Sequence, residues 1–344
     1  MWYVAAWRDL IRDEYFPLKN NLMIGEKIAG PLSRSIDPSI PLNSPYGYDS
    51  QYFWALSVDP NLQDTLMLNT LGNKTYRSQR ILLPYLTHII IRNPINILYG
   101  LWFWACIGVL LGAIGLYRLC VYFKISPVLP LICFIGSPGL FITTIHPMSD
   151  GLASGLILLG LSFWMNKRFY TSTIFFALAC LAREASVFII LLLIFYSLFI
   201  DQKKWALRLV PLLLSIIPFV VWQIHLYHLF GSLDTVKSVN YDIPFAGTIK
   251  TFSTYLNLRV NREDLFVSIL IHTTCLFAWI RWAKHWRDDL IYLLLTHALF
   301  ITICSKAVME DNYSSCRISI LYSVFLIMAI MYQTKKVEVS NLST

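Results

Sequence analysis

Residues 95–117 read INILYGLWFWACIGVLLGAIGLY, a run of 23 residues without a charged side chain. An α-helix rises about 1.5 Å per residue, so roughly 20 apolar residues cross the hydrocarbon core of a bilayer. This run is long enough to do so and is flanked by charge, with Arg92 before it and Arg118 after it. It predicts a transmembrane helix.

The charge-free pattern recurs along the rest of the chain. Runs 125–145 and 209–233 also reach the length that spans a bilayer. Shorter runs, whose flanking Lys and Arg side chains can snorkel to lengthen the span, complete the pattern. They are 151–166, 169–182, 185–200, 265–280, 290–305 and 318–334. We therefore predict an all-α, polytopic membrane helical bundle with about nine transmembrane helices plus interfacial helices.

The composition agrees with a membrane location. Of the 344 residues, 56% are hydrophobic and 14% are charged, against roughly 25% charged in a soluble domain. The formal net charge is +8 and there are 11 Trp. In a chain with long apolar runs, such positive charge sets membrane orientation. It is not a nucleic-acid footprint, and we predict no nucleic-acid partner.

The stretch 169–200 contains Arg183 and Glu184, and we predict a tight turn between two helices there. A single helix over this stretch would be about 48 Å long, too long for a bilayer, and would bury both charges. The split arrangement with the N-terminal region outside puts more Lys and Arg on the cytoplasmic side, including Lys203 and Lys204. This is the distribution that the positive-inside rule requires.

The chain divides into three regions on this topology. Residues 1–94 form an extracytoplasmic segment with an acidic loop and an interfacial helix, 95–334 the transmembrane bundle with an outer loop at 231–264, and 335–344 a cytoplasmic tail. Residues 1–94 contain neither a span nor a signal peptide. Because this basic segment would have to be translocated unaided, we expect that the usual first transmembrane helix is missing from the sequence.

Asp49 stands out in GYDSQYF, residues 47–53, because aromatic residues surround it. Such neighbours can raise the pKa of a carboxyl and suit it to act as a general base on a hydroxyl. The alternative is an Asp that closes a turn after Pro45 and Gly47.

Arg77 and Arg80 lie three residues apart in YRSQR, residues 76–80. On a helix their guanidinium groups would face the same way, and Arg binds phosphate in a bidentate manner. The apolar stretch that follows them is too short to cross and predicts an interfacial helix. Ordinary contact with lipid headgroups is the competing interpretation.

Other polar residues are expected on the same outer side. His146 and Asp150 occur in HPMSDG, residues 146–151, and Arg317 precedes the last span. Asp150 also suits an N-cap for a helix that begins at Gly151. Arg183 and Glu184 also suit a local ion pair.

The sequence offers little for a cofactor. His225 and His228 have a spacing that metal ligands can adopt, but no third ligand is apparent. Walker, GxGxxG, GxSxG and HExxH patterns are absent. We predict no protein-bound metal, and leave open a divalent cation that Asp49 and Asp150 share with a phosphate.

The order of the motifs resembles the GT-C superfamily of integral-membrane glycosyltransferases. The matching stretches are GYDSQYFWALSVDP (47–60), YRSQRILLPYL (76–86), the first long span ending in LYRL (116–119), SPGLFITTIHPMSDGLASGLILLGLSFW (137–164), KRFYTSTIFFALACLARE (167–184) and CRISILYSVF (316–325). They are most similar to bacterial cell-surface glycopolymer proteins with a YDGQF-type motif, and more distantly to the mannosyltransferase that starts glycosylphosphatidylinositol assembly. Ser50 departs from this pattern, which usually has Gly.

The resemblance implies a multi-pass enzyme of the bacterial inner membrane. It would move a hexose from a polyprenyl-phosphate donor to a cell-surface glycan or lipid-linked acceptor on the extracytoplasmic face, among membrane lipids. Asp49 matches the first-loop acid and would be the general base. The resemblance and the outer-side clustering together give the expected substrate-binding residues, which are Tyr48, Gln51, Arg77, Arg80, His146, Asp150, Arg183, Glu184 and Arg317.

Three other functions fit the same sequence. A transporter or flippase of lipid-linked glycans would place ionisable residues at mid-membrane in broken helices. A glycan polymerase or ligase would use lipid-linked donors but transfer whole oligosaccharides. A non-catalytic assembly subunit fits the missing first span.

Overall fold

The predicted all-α fold is confirmed for the part of the chain that the computed structural model describes. The described residues are 22–199, 205–232, 243, 246–247, 249–250, 253, 262–304 and 312–342. They contain α-helices and no β-strand, apart from one isolated bridge between Gly25 and Ser44. Lys203, Lys204 and most of the predicted outer loop 231–264 lie outside the described residues.

From Leu22 onward, where the described part of the chain begins, five short helices precede the bundle. They are α1 (Gly30–Ile36), α2 (Ser50–Val58), α3 (Thr65–Thr70), α4 (Lys74–Ser78) and α5 (Leu82–Ile90). Trp54 of α2 is buried and its Nε1 donates to the carbonyl of Pro94, 3.2 Å away. This contact and the packing of α2 on α5 and α6 fold the N-terminal segment onto the bundle.

The bundle contains eleven further described helices. They are α6 (Ile97–Tyr122), α7 (Val128–Ile135), α8 (Pro138–Ile145), α9 (Ser149–Met165), α10 (Phe169–Ala182), α11 (Ser186–Phe199), α12 (Trp205–Phe230), α13 (Arg262–Trp282), α14 (Asp289–Thr302), α15 (Asn312–Ile318) and α16 (Ile320–Leu342). The predicted break at Arg183 and Glu184 is confirmed, because α10 ends at Ala182 and α11 begins at Ser186.

The run 125–145, predicted as one span, is instead the pair α7 and α8, bent by 45°. Pro138 at the start of α8 cannot donate a backbone hydrogen bond and clashes with a continuous preceding turn. The Ser137 hydroxyl accepts from the backbone N–H of Leu140, 3.1 Å away, and so caps the new helix. Local chemistry thus explains the bend.

The described helices differ in their ability to cross a bilayer. Helix α6 and residues Ala206–Phe230 of α12 are long and apolar enough to cross alone, and the bent pair α7 and α8 would be a third span. Helices α9, α10, α11 and α14 are apolar but only 14–17 residues long. The count of nine crossings stays a prediction.

One end of the bundle carries a cluster of lysines. Lys335 near the end of α16 donates to the carbonyl of Lys124, just after α6, at 2.6 Å. Lys336 pairs with Asp288, just before α14, at 3.3 Å. We call Lys124, Lys335, Lys336 and Asp288 the lysine end. Helices α6 and α16 therefore finish at this end, and α14 begins there.

Helices α6 and α9 approach closely at glycines. A Cβ built on Gly155 of α9 would lie 2.0 Å from the carbonyl oxygen of Gly108 in α6. At Gly115, it would lie 2.4 Å from the backbone nitrogen of Leu159. Small residues at such crossings let helix backbones touch, which is a common basis of helix association in membranes.

Substitution of Gly155 by alanine is therefore expected to destabilise the protein. The added methyl meets backbone atoms that cannot move aside, and such overpacking costs about 1–3 kcal/mol. We expect a lower thermal unfolding midpoint of the purified chain in detergent. Gly30→Ala is the control, because its Cβ would meet nothing nearer than 3.4 Å. An unchanged midpoint for Gly155→Ala would contradict the close packing of α6 and α9.

Candidate functional site

A charged cavity of about 580 Å³ lies between the N-terminal segment and the end of the bundle opposite the lysine end. The N-terminal segment contributes one wall. The other wall consists of residues of α15 and of residues that follow α10 and α14. Its polar lining includes Asp49, Tyr52, Asn73, Tyr76, Arg77, Arg80, Arg183, Glu184, Ser314 and Arg317. Residues far apart in sequence thus share one cavity.

Asp49 reaches this cavity because of the tight backbone before it. Gly47 has φ +68°, and a Cβ there would lie 2.3 Å from the carbonyl oxygen of Met23, so only glycine fits. Asp49 follows at the N-cap of α2 but makes no side-chain capping bond. Its side chain is 36% exposed and pairs with Arg317 at 3.1 Å. The alternative of a turn-closing Asp does not describe this carboxylate.

Arg317 links two acids. Its Nη1 donates to Asp49, and its Nε lies 4.0 Å from Asp150. Asp150 is only 2% exposed and also forms an ion pair with Arg183. Helix α9 begins at Ser149, so Asp150 lies inside its first turn and is not its N-cap. The result is a row of alternating charges, Arg183, Asp150, Arg317 and Asp49, which we call the charge row.

Arg80 and Glu184 form a second buried pair. The Arg80 fork donates to both carboxylate oxygens, from Nε at 2.8 Å and from Nη2 at 2.6 Å. Burial alone would raise the pKa of Glu184, but the charge and hydrogen bonds of Arg80 prevail and lower it. The predicted alternative of a local ion pair between Arg183 and Glu184 is therefore wrong. Glu184 pairs with Arg80, and Arg183 pairs with Asp150.

Arg77 differs from the other cavity arginines. Its guanidinium carbon lies 3.2 Å from the centroid of the Tyr52 ring, and its Nη1 donates to the Leu71 carbonyl at 2.7 Å. Within the described part of the chain, no carboxylate pairs with it. A guanidinium has five N–H donors in a rigid fork. Arg77 therefore retains donors for an anionic ligand, in an orientation that the Tyr52 ring holds.

The pKa of Asp49 departs from the sequence expectation. Burial by itself raises the pKa of this carboxyl, in the direction that its aromatic neighbours suggested. The positive charges of Arg317, Arg80 and Arg77, with the hydrogen bond from Arg317, act against burial and lower the pKa below its usual value. The expectation of a raised pKa is wrong. Asp49 is ionised at neutral pH and is a weak base.

Besides Asp150 of the charge row, three expected substrate-binding residues do not line the cavity, namely Tyr48, Gln51 and His146. Gln51 is buried, accepts from Gly25 N at 3.0 Å and donates to the Tyr46 carbonyl at 2.8 Å. Tyr48 packs edge-on against His146 with ring centroids 5.8 Å apart, and Arg317 lies over the Tyr48 ring. In this structure, these three residues support the loop that carries Asp49 and the position of Arg317.

The donor set argues against a cation shared by Asp49 and Asp150. Both carboxylates contact guanidinium groups, which repel a divalent metal ion. In the described residues, no group of three His, Cys, Asp or Glu could hold a metal ion. His225 instead packs on Trp222, with ring centroids 5.1 Å apart.

Two aromatic residues of the site, Tyr52 and Tyr76, were not among the residues predicted from the sequence. Tyr52 supports Arg77, and the Tyr76 hydroxyl accepts from Arg80 Nη2 at 2.6 Å. Tyr76 precedes Arg80 by four residues, a spacing that brings side chains together on a helix, although α4 ends at Ser78, before Arg80. Tyr52 follows Asp49 by three residues. From the sequence alone, Tyr52 is only an aromatic neighbour of Asp49.

Comparison with protein families provides an assignment. Residues 82–342 match the family model described as the EpsG family. The match includes Asp150, Arg183, Glu184 and Arg317 and begins after Arg80. No curated protein and no solved structure gave a significant match, so the resemblance to the GT-C superfamily stays a prediction. Since the model matches more than half of the chain, the chain belongs to the EpsG family and is an integral membrane protein of the glycosyltransferase-like, polymerase type.

Proposed function

We propose that the chain transfers a sugar from a polyprenyl-phosphate donor to a growing cell-surface glycan or lipid-linked acceptor on the extracytoplasmic face of the bacterial inner membrane. The observation that carries the proposal is the cavity lined by Arg77, Arg80, Arg183 and Arg317 at the end of a membrane bundle. The family assignment favours an acceptor that is itself a polysaccharide, as in a polymerase.

The charges of the described site favour one anionic group. Four arginines meet three carboxylates, those of Asp49, Asp150 and Glu184. One positive charge remains, and Arg77 is the arginine without a carboxylate. A sugar phosphodiester carries a single negative charge and would neutralise it. The Arg77 fork would then stabilise the phosphate as it leaves.

The surroundings of Arg77 suit a lipid. Trp222 of α12 donates to the carbonyl of Ser78, 2.8 Å away, which brings α12 beside α4. Neighbouring side chains on α12 remain open, with Val221 59% and Ile224 52% exposed. Apolar exposure in a membrane protein faces lipid. A polyprenyl chain could therefore run along α12 while its phosphate reaches Arg77.

The orientation rests on the two ends of the bundle. The lysine end carries lysine side chains and lies away from the cavity with its acids. The positive-inside rule assigns such an end to the cytoplasm. The cavity would then open on the extracytoplasmic side. There, a lipid-linked donor can meet a glycan acceptor without passing through the membrane.

The transfer step needs a positioned hydroxyl. The carboxylate of Asp49 can accept a hydrogen bond from the acceptor hydroxyl and aim its oxygen at the anomeric carbon. The new bond to that carbon forms as the bond to the phosphate oxygen breaks, and the electron pair stays on the phosphate. The acceptor O–H bond also breaks, and its proton passes to water or to a base. The N–H donors of the cavity arginines are already in place, so they need not reorganise as negative charge develops on the leaving phosphate.

Asp49→Asn is expected to slow transfer by about 10–100-fold, because hydrogen bonds to charged groups contribute about 1.5–3 kcal/mol. The assay measures release of free polyprenyl phosphate in membrane vesicles from expressing cells, supplied with radiolabelled polyprenyl-phosphate hexose. Glu26→Gln is the control, because Glu26 is an exposed acid of the same segment. A parental rate in the Asp49→Asn vesicles would remove Asp49 from the reaction.

The bent pair α7 and α8 is the observation that favours transport, since transporters use broken helices at their binding sites. Its surroundings offer a different reason for the bend. A Cβ on Gly139 of α8 would lie 2.1 Å from the carbonyl oxygen of Cys316 in α15, beside Arg317. The pair thus supports the helix that carries the charge row. Movement of labelled donor across sealed vesicles without release of polyprenyl phosphate would favour the transporter.

A further inference from the structure

His297 is a buried histidine in the middle of the apolar helix α14. It is 3% exposed, and its Nδ1 lies 2.7 Å from the carbonyl oxygen of Leu293. A carbonyl oxygen only accepts hydrogen bonds, so Nδ1 carries the proton. In the neutral ring, Nε2 then presents a lone pair. Among the described residues, no hydrogen-bond donor meets that nitrogen.

His297 lines a second, smaller cavity of about 40 Å³, which we call the annex. Arg183, Phe300, Arg317 and Ile318 line both the annex and the charged cavity, so the two spaces are neighbours. A water molecule needs roughly 10–15 Å³ of such space. The annex can therefore hold a few waters but not a sugar ring.

The annex also has polar walls. Ser154 and Ser186, both buried, line it together with His297. A buried acceptor that lacks a donor costs about 1–3 kcal/mol. Water settles where two to four polar groups can bind it, and the annex offers such groups. The open lone pair of His297 thus indicates a bound hydroxyl donor.

We propose that water in the annex connects His297 Nε2 to the charged cavity and that His297 accepts the proton released by the attacking hydroxyl. This inference rests on the proposed function. The acceptor O–H bond breaks, its proton passes through the annex water to Nε2, and its oxygen bonds to the anomeric carbon. The bond from that carbon to the phosphate oxygen breaks, and the phosphate leaves with the electron pair. The proton returns to solvent through the cavity.

The division of roles follows from the local contacts. Arg317 donates to one carboxylate oxygen of Asp49, and the other oxygen can orient the hydroxyl. His297 has no carboxylate or guanidinium partner among the described residues, and the lone pair of its Nε2 is open. A general base can act through one intervening water.

The test compares variants of the full chain in the vesicle assay. In His297→Asn, the side-chain amide can still donate to Leu293, while the unpartnered ring nitrogen is removed. We expect transfer to fall by about 100-fold or more, the usual contribution of a general base. His272→Asn is the control, because His272 is also a buried membrane histidine and lines neither cavity. It should stay close to the parental rate.

Chemical rescue distinguishes proton transfer from packing. His297→Ala leaves a hole of imidazole size, and added imidazole should bring its rate to within about tenfold of the parent if a base is what is missing. A His297→Asn rate close to that of the parent would overturn the proposal. So would a slow His297→Ala variant that imidazole does not restore.

A structural measurement on the unsubstituted chain tests the proposal even if the variants fail to fold. An experimental map of the unsubstituted chain should contain a water within hydrogen-bond distance of His297 Nε2, and a dry annex would overturn the proposal. Failure of the proposed function has a different signature. In that case the unsubstituted chain would release no more polyprenyl phosphate than vesicles without it, whereas failure of the His297 proposal alone leaves the unsubstituted chain active and Asp49→Asn and Arg77→Ala slow.

Discussion

Asp150→Asn is expected to lower the free energy of unfolding by about 3–5 kcal/mol, the usual cost of removing one partner from a buried ion pair. Asp150 is 2% exposed and contacts both Arg183 and Arg317. Its neutralisation leaves Arg183 without its ion-pair partner and Arg317 with Asp49 alone. The measurement is thermal or denaturant unfolding of the purified chain in detergent.

A second substitution identifies the cause of this loss. Adding Arg183→Gln to Asp150→Asn removes the excess buried charge, so the double variant should recover part of the lost stability. The control is Lys336→Gln, which breaks an ion pair whose lysine is 60% exposed. Exposed pairs contribute at most about 1 kcal/mol. Equal, small effects for Asp150→Asn and Lys336→Gln would show that the charge row does not stabilise the fold.

Arg77→Ala is expected to reduce sugar transfer by about 10²–10³-fold, the loss seen when one preorganised donor to a developing negative charge is removed. The same variant should bind undecaprenyl phosphate more weakly in native mass spectrometry. The fold should tolerate the change, because Arg77 is partly exposed and no carboxylate among the described residues depends on it.

A conservative change at the same position separates charge from geometry. Arg77→Lys keeps the charge but loses the fork and its stacking on Tyr52. It should therefore fall between the parent and Arg77→Ala. Arg34→Ala is the control, since Arg34 is an exposed arginine of α1 outside the cavity. Parental lipid binding and transfer by Arg77→Ala would remove the phosphate site from the proposed function.

Much of the helical structure was predictable from local pattern. The charge-free runs predicted helices, and 169–182 coincides with α10 as Phe169–Ala182. The charges at Arg183 and Glu184 correctly predicted the break after α10. In contrast, 125–145 contained Gly136 and Pro138 within an apolar run, and its bend was missed. Hydrophobicity records the preference for lipid, whereas backbone chemistry decides whether a helix continues.

The members of the site were partly predictable, but their partners were not. The sequence placed Asp49, Asp150 and four arginines on one side of the membrane. It could not pair Arg80 with Glu184, 104 residues away, or Asp49 with Arg317, 268 residues away. It also could not reveal the open nitrogen of His297, which occurs in the apolar stretch LLLTHALF without a neighbouring polar signal.

The amino-acid sequence alone determined that this protein is helical, that it is suited to a membrane, and that charged residues separate its apolar runs. Those properties depend on hydrophobic runs and on the charges that bound them, and both are local. Only the tertiary structure decided which carboxylate meets which guanidinium, that Arg77 keeps free donors, and that the pKa of Asp49 is lowered. Electrostatic energies depend on distance and burial, and these exist only once distant segments have packed together.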